Sequence, residues 1–286
     1  ATTCITSSMF LTALAPNLLA VDLITKSTGH TISWGEWAGV MLPLMVPLFL
    51  ITPWLAYVVY PPTQKSSPEA PAWAAEELKT LGAITFKEYL MAGLATVALV
   101  LWIFNKELGI DSTTVAISVV SIMVLTNVIT WDDLISNKAA FNVLIWFASL
   151  VAMAAGLKKV GVLDWIGANT QVMLSGMTPT ELIISLLVLF FLLHYFFASV
   201  TAHVTALVPI FMTIAINLLT PEQIVPFTII LAGSLGVMGI ITPYGTGPSP
   251  IWYGAGYISQ ARWWALGAIF GALYLGVIIL GAFIFI

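Results

Sequence analysis

The sequence predicts an all-α membrane protein, and three observations carry that reading. Of 286 residues, 60% are hydrophobic and only 8% charged, with a mean hydropathy of +1.02, whereas soluble domains carry ~25% charged residues. Apolar runs approaching the ~20 residues of a membrane-spanning helix recur along the chain. Several runs are cut by short stretches rich in Pro, Gly and hydroxyl residues. The densest is Ile240–Pro250, with three prolines and two glycines in eleven residues.

A helix cannot continue through Ile240–Pro250, because proline lacks the N–H and clashes with the preceding turn. Hydrocarbon offers no water to the freed backbone groups, so such a break must be buried in protein or line a polar cavity. Composition narrows the class further. The net charge is −4 and no basic tract is present, which excludes nucleic acid as a partner. The single cysteine, Cys4, excludes an intramolecular disulfide and a Cys-based metal cluster; it is expected to pack as a small residue. Ala1-Thr2-Thr3-Cys4-Ile5-Thr6 has no initiator Met and no charged n-region. It reads as the middle of a polar-lined membrane segment, and the chain is expected to be a fragment.

In chain order, the predicted apolar segments are Val40–Tyr60, with kinks at Pro43, Pro47 and Pro53, then Tyr89–Phe104, Thr113–Val128, Phe141–Leu157, Leu182–Phe197, Ala202–Leu219, Ile224–Ile241 and Trp263–Phe285. Several are short, which suits re-entrant half-helices better than full spans. Pro61–Phe86 begins as a Pro- and Ser-rich loop. Its second part, Ala72 to Lys79, has one apolar and one charged face and is expected to lie along the interface. Gly161–Leu174 is a second candidate surface helix. The lysine and arginine distribution favours a cytoplasmic Pro61–Phe86 loop, with Lys138 and Arg262 on the same side and Lys106, Lys158 and Lys159 opposite.

Three stretches carry candidate chemistry. In His194–Thr205, the polar residues Ser199, Thr201, His203 and Thr205 interrupt an apolar run. Hydroxyls and free N–H groups at a hairpin tip suit a carboxylate, since helix N-termini are partially positive; close helix packing is the competing reading. His194 is expected to be a hydrogen-bonded structural histidine, with His203 a candidate to face a cavity. Their spacing is not that of a helical metal pair, so no metal site is predicted. His30 reads as solvated. The second stretch is Thr242–Pro250, with Thr242, Pro243 and Thr246. The third is Thr6–Asn17, with Ser7 and Ser8. Asp22 lies four residues before Lys26 and is expected to form an i,i+4 ion pair.

No Lys or Arg lies inside the apolar segments, so an anion would be held by hydroxyls, backbone amides and helix dipoles. Asp132-Asp133 and Glu76-Glu77 read as solvated loop faces. The tryptophans at 34, 37, 252, 263 and 264 read as interface belts or packing. Gly236, Gly239, Gly267 and Gly271 read as points of close helix approach. A loose internal repeat is also present. Ala15-Pro16-Asn17-Leu18-Leu19-Ala20, followed by Ser33-Trp34-Gly35-Glu36-Trp37 and an apolar run, parallels Gly247-Pro248-Ser249-Pro250-Ile251-Trp252, followed by Ala261-Arg262-Trp263-Trp264 and the terminal run. Broken segments in corresponding positions of two halves point to the substrate site of a secondary transporter.

Taken together, His194-Tyr195-Phe196-Phe197-Ala198-Ser199-Val200-Thr201-Ala202-His203 and Thr242-Pro243-Tyr244-Gly245-Thr246-Gly247-Pro248 resemble the divalent anion–sodium symporter family. The likeness is strongest to its bacterial citrate/succinate and tartrate/succinate exchangers and plastid oxoglutarate/malate translocators. Ser7-Ser8-Met9-Phe10 with Ala15-Pro16-Asn17 resembles the first-half broken helix of that family. The resemblance covers essentially the whole chain. It implies an inverted-repeat, elevator-type carrier of homodimeric assembly, in which two Ser-Asn-Thr hairpin tips face two broken helices.

By that resemblance residues 1–60 end the first repeat, 61–88 form a cytoplasmic loop with an interfacial helix, and 89–286 form the second repeat. The second repeat would hold a re-entrant hairpin near 180–219, a broken helix near 224–258 and a final span over 263–286. Ser199 and Thr201 match the second tip as substrate ligands, Thr242 and Pro243 its facing loop, and Ser7 or Ser8 the first-half loop. Ala198 and Ile241 fall where weak sodium candidates would lie. The sequence departs from the family at two places. The first Ser-Asn-Thr tip has no counterpart, and Val200 stands where the second tip has Asn. A valine supplies no amide oxygen, so sodium coupling is doubted and exchange favoured; no cofactor is expected.

The leading functional reading is a multi-pass carrier of the bacterial inner (plasma) membrane, with the plastid inner envelope as the alternative. It would exchange di- or tricarboxylates such as succinate, citrate, tartrate or 2-oxoglutarate, in contact with membrane lipid. Sodium-coupled dicarboxylate symport is the second reading. An intramembrane enzyme using His203 with Ser199 or Thr201 is a remote third, since no carboxylate orients the histidine and no nucleophile elbow is present. A non-transporting scaffold leaves the two broken segments unexplained.

Overall fold

A computed structural model describes residues 1–138, 140–141, 152, 156, 159–162, 165, 169 and 176–286. The expected span Phe141–Leu157 and surface helix Gly161–Leu174 lie essentially outside the described residues. The chain divides into two compact units, one formed by residues 1–53 and 145–286 and the other by residues 54–144.

The first unit opens with α1 (Thr2–Met9), a break containing a short 3-10 turn (Leu11–Ala13), and α2 (Ala15–Thr28). Phe10 and Leu14 are extended on either side of the turn, and Pro16 sits in the first turn of α2, where its missing N–H costs nothing. Gly29, with φ of +77°, closes α2 in the left-handed conformation. Asp22 and Lys26 form the expected ion pair at 2.7 Å. His30 departs from its solvated reading: its Nε2 lies 3.4 Å from Glu36 Oε1.

Helix α3 (Trp34–Val59) begins six residues before the predicted Val40 and runs through Pro43, Pro47 and Pro53. Its early start follows from Ser33 and Glu36. The Glu36 carboxylate accepts from the Ser33 N–H at 2.8 Å, and the Ser33 hydroxyl accepts from the Glu36 N–H at 3.2 Å. Trp34, Trp37, Met41, Leu44, Met45 and Leu48 form its buried stripe, so these two tryptophans are packing residues.

In the second unit, α4 (Ala70–Leu81) is a wholly exposed helix that includes the expected Ala72–Lys79 segment. Helix α5 (Phe86–Ile103) starts at a Thr85–Glu88 capping box, three residues before the predicted start. After the short α6 (Asn105–Leu108), α7 (Ser112–Leu125) is capped by Asp111 and packs on α5, where Trp102 Nε1 donates to Ser112 O at 3.1 Å. Asp132 and Asp133 lie in the first turn of α8 (Trp131–Ile135) rather than in a loop, and Glu76 and Glu77 lie in α4.

The rest of the first unit runs α9 (Pro179–Leu193), a 3-10 turn (His194–Phe196), α10 (Val200–Leu218), α11 (Pro221–Val237), a second 3-10 turn (Met238–Ile241), α12 (Pro248–Gly254) and α13 (Gln260–Phe285). Helix α11 is the core: every residue from Phe227 to Val237 is buried. It packs against α1, α2, α9, α10 and α13, which is how a helix apolar on all sides is used. Close approach requires its small residues. A Cβ at Gly233 would fall 2.3 Å from Met41 Sδ, and one at Gly236 2.4 Å from Ser8 Oγ. On α13, Gly267 and Gly271 meet Ile240 and Ile241, and Gly281 meets Leu44; Gly236, Gly267 and Gly271 thus pack as predicted, whereas Gly239 meets Thr246 of the following break rather than a helix.

The order helix, 3-10 turn, helix and 26-residue helix occurs twice: α1 to α3 near the start, α11 to α13 at the end. In each, the helix after the break opens on Pro at its first or second position. Among the described residues six helices are long and apolar enough to cross a membrane: α3, α5, α10, α13, α9 extended to Phe196, and α11 extended to Ile241.

Candidate functional site

Two chain breaks and one helix start converge in the first unit. The first break, between α1 and α2, is held open by Asn17, whose Nδ2 donates to Ser7 O at 2.9 Å and to Phe10 O at 3.3 Å. The second is Thr242–Gly247, between the 3-10 turn that extends α11 and α12. The helix start is that of α10. Ser199 is extended and its Oγ accepts from Ala202 N at 3.4 Å, the geometry of an N-cap.

A cavity of about 560 Å³ opens where these three meet. Thr3, Cys4, Ser7, Ala13, Leu14 and Pro16 supply the wall from the first break. Ala198, Ser199, Val200 and Thr201 supply the hairpin tip, and Gly236, Tyr244, Thr246, Gly247, Pro248 and Pro250 the wall from the second break. None of these side chains is charged. What the cavity presents to a ligand is hydroxyls, backbone groups freed by the breaks, and the positive end of the α10 dipole. That set attracts a carboxylate without a fixed cation, and the volume lies within the ~300–1,000 Å³ of small-molecule sites.

Of the residues singled out in the sequence, Ser7, Ser199, Thr201, Thr246 and Ala198 therefore share one cavity. Others do not reach it. Ser8 is fully buried behind the wall, where its Oγ accepts from Val237 N at 3.1 Å and its carbonyl accepts from Trp37 Nε1 at 3.1 Å. Thr242 is also fully buried and Ile241 nearly so; neither lines the cavity, and nor does the half-buried Pro243. His203, a candidate to face the cavity, is instead enclosed. Its ring lies 4.4 Å from that of Phe190, 5.1 Å from Phe197 and 5.2 Å from His194, and neither of its ring nitrogens has a polar partner. His194 is the expected structural histidine: its Nε2 donates to Gly245 O at 2.8 Å, since a carbonyl can only accept.

Sequence reasoning missed two contributors. Tyr244 lines the cavity and donates its hydroxyl to Tyr195 O at 3.0 Å; its only signal was an aromatic between proline and glycine at a chain break. Asn17 was visible as a polar residue near the first break, but its stapling role depends on the fold of Phe10–Leu14.

Residues 1–285 match the family described as "Sodium:sulfate symporter transmembrane region". The chain belongs to this family. Within the sodium:sulfate symporter family, the chain is 48% identical over 278 residues to the L-tartrate/succinate antiporters of Escherichia coli (strain K12), Shigella boydii serotype 4 (strain Sb227) and Shigella flexneri. The matched part is 97% of this chain and 56% of each relative, so the chain spans about half the length of the curated relatives it matches. Membership makes it a polytopic membrane protein, and the apolar faces that α3 and α13 expose at Leu50, Trp54, Phe283 and Ile284 suit contact with lipid.

Proposed function

We propose that this chain is part of a secondary carrier that exchanges one di- or tricarboxylate for another across the bacterial inner membrane. The observation that carries the reading is the uncharged cavity itself, where two chain breaks meet the N-terminus of α10. The name of the relatives, L-tartrate/succinate antiporter, points to C4-dicarboxylates as first substrates. We assign Ser199, Thr201, Thr246 and Ser7 to ligand contact and Thr242, Pro243, Ser8 and His203 to support of the wall. Exchange rather than sodium coupling is favoured by Val200, whose side chain has no oxygen to offer a cation at the tip. A homodimer is the assembly proposed, on the family resemblance. The enzyme reading is disfavoured by the place of His203, whose ring packs against Phe190 and Phe197 rather than lining the cavity with Ser199 and Thr201.

Counterflow by the full-length protein in proteoliposomes is the test. Preloaded succinate should drive uptake of labelled succinate or tartrate, unchanged when choline replaces sodium. No exchange of succinate, tartrate, citrate or 2-oxoglutarate overturns the proposal; exchange that requires sodium selects the symport reading instead.

A further inference from the structure

The hairpin tip and the second break are joined by two side-chain-to-carbonyl bonds running in opposite directions between adjacent residue pairs. His194 donates to Gly245 O at 2.8 Å, and Tyr244 donates to Tyr195 O at 3.0 Å. Residues 194 and 195 thus grip 244 and 245 reciprocally. Both tyrosines also rest on one ring of α13: Tyr195 stacks on Trp264 with centroids 6.0 Å apart, and Tyr244 meets it edge-on at 6.2 Å. A side chain cannot be added at the centre of the grip, where a Cβ on Gly245 would fall 2.6 Å from Thr242 Oγ1 and 2.8 Å from His194 Nε2.

The two gripped segments lead into two of the walls of the cavity. Ser199, Val200 and Thr201 follow the 194–195 end, and Thr246 and Gly247 follow the 244–245 end. We propose that His194 and Tyr244 are positioning residues, whose reciprocal clamp fixes the gap between the α10 N-terminus and Thr246 and thereby sets which carboxylate length the site prefers. The inference rests on the carrier reading above. Binding is favoured when both walls are held before the ligand arrives, because the ordering cost is then already met by the protein. The clamp acts on affinity: His194 lies outside the cavity lining, and Tyr244, which lines it, has its hydroxyl engaged by Tyr195 O.

The test uses His194→Phe, His194→Gln and Tyr244→Phe in the full-length protein. In proteoliposomes, His194→Phe and Tyr244→Phe should each raise KM for succinate about three- to tenfold, the effect of one lost hydrogen bond. The maximal rate should stay within about twofold, and the KM ratio of C4 to C5 dicarboxylates should shift. His194→Gln, whose amide can still donate to Gly245 O, should restore the parent KM. Tyr244→Phe keeps the ring on Trp264, so it decides the matter if His194→Phe fails to fold. A lowered melting temperature with unchanged KM overturns the clamp. If the parent protein exchanges no carboxylate, the carrier reading falls, and the clamp is judged by spin-label distances between Phe196→Cys and Ala255→Cys in a cysteine-free full-length background. That distribution should broaden in Tyr244→Phe; an unchanged width overturns the clamp.

Discussion

Ser8 and Val237, 229 positions apart, tie the two broken helices together: the Val237 N–H donates to Ser8 Oγ at 3.1 Å inside the protein. The contact exists because Gly236 has no side chain. A Cβ there would fall 2.4 Å from Ser8 Oγ, 2.7 Å from Ser8 N and 2.8 Å from Cys4 O. Two of those three atoms are backbone and cannot swing away, so α1 and α11 touch main chain to main chain.

Gly236→Ala should therefore force the helices apart. Overpacking of this kind costs about 1–3 kcal/mol. The expected result is a lower melting temperature in detergent and a smaller yield of monodisperse protein, read by differential scanning fluorimetry and size exclusion.

Neighbouring serines should separate function from stability. Ser7→Ala, on the cavity wall, should raise KM for dicarboxylate about threefold or more through one lost hydrogen bond while leaving the melting temperature nearly unchanged. Ser8→Ala, behind the wall, should do the reverse and lower stability by about 0.5–1.5 kcal/mol with KM unaltered. Exchange kinetics and melting curves on the same preparations check both.

Ser199→Asp opposes two effects at one atom. Aspartate caps a helix as well as serine does, so α10 should remain folded and the melting temperature should hold. Its carboxylate would, however, occupy the cavity rim and repel an anion, abolishing exchange. Ser199→Ala, by contrast, should lose a cap, costing about 0.5–2 kcal/mol, while retaining measurable exchange.

Asp133 offers a pH readout away from the spans. The Thr130 hydroxyl and N–H, at 2.7 and 2.9 Å, hold its carboxyl below the ordinary aspartate value. Because the folded value is the lower one, the α8 cap contributes at pH above the unfolded value and is lost as pH falls through the folded value. Carbon-detected NMR titration should show the depressed midpoint, and Thr130→Val should raise it.

Much of this architecture was legible in the chain. Apolar runs located the helices, and the density of Pro and Gly at 240–250 located the second break. The Asp22–Lys26 pair and the packing glycines followed from spacing and size. Hydrophobicity alone puts the helix starts too late, at Val40, Tyr89 and Leu182, because the capping pairs Ser33-x-x-Glu36, Thr85-x-x-Glu88 and Thr178-x-x-Glu181 lie ahead of the apolar runs. All three caps are written in the sequence and made in the structure. Which hydroxyls face the cavity was not legible. Ser7 and Ser8 are chemically identical neighbours, and only the approach of Gly236 from the far end of the chain sends one to the ligand side and the other into the core. His203 differs from its sequence expectation for a related reason: polarity points it to a cavity, whereas the rings of Phe190 and Phe197 enclose it.

The absence of charge among the described lining residues also has an electrical meaning. A wall with no Lys, Arg, Asp or Glu brings no counter-charge of its own to the anion, and in the proposed exchange the charge moved per turnover is the difference between the two anions carried. Swapping one dianion for another moves no net charge, and the membrane potential neither drives nor opposes it. Trading a trivalent for a divalent carboxylate moves one charge and couples the cycle to the potential at about 2.3 kcal/mol per 100 mV. The same cavity would thus run silent or voltage-driven according to its cargo.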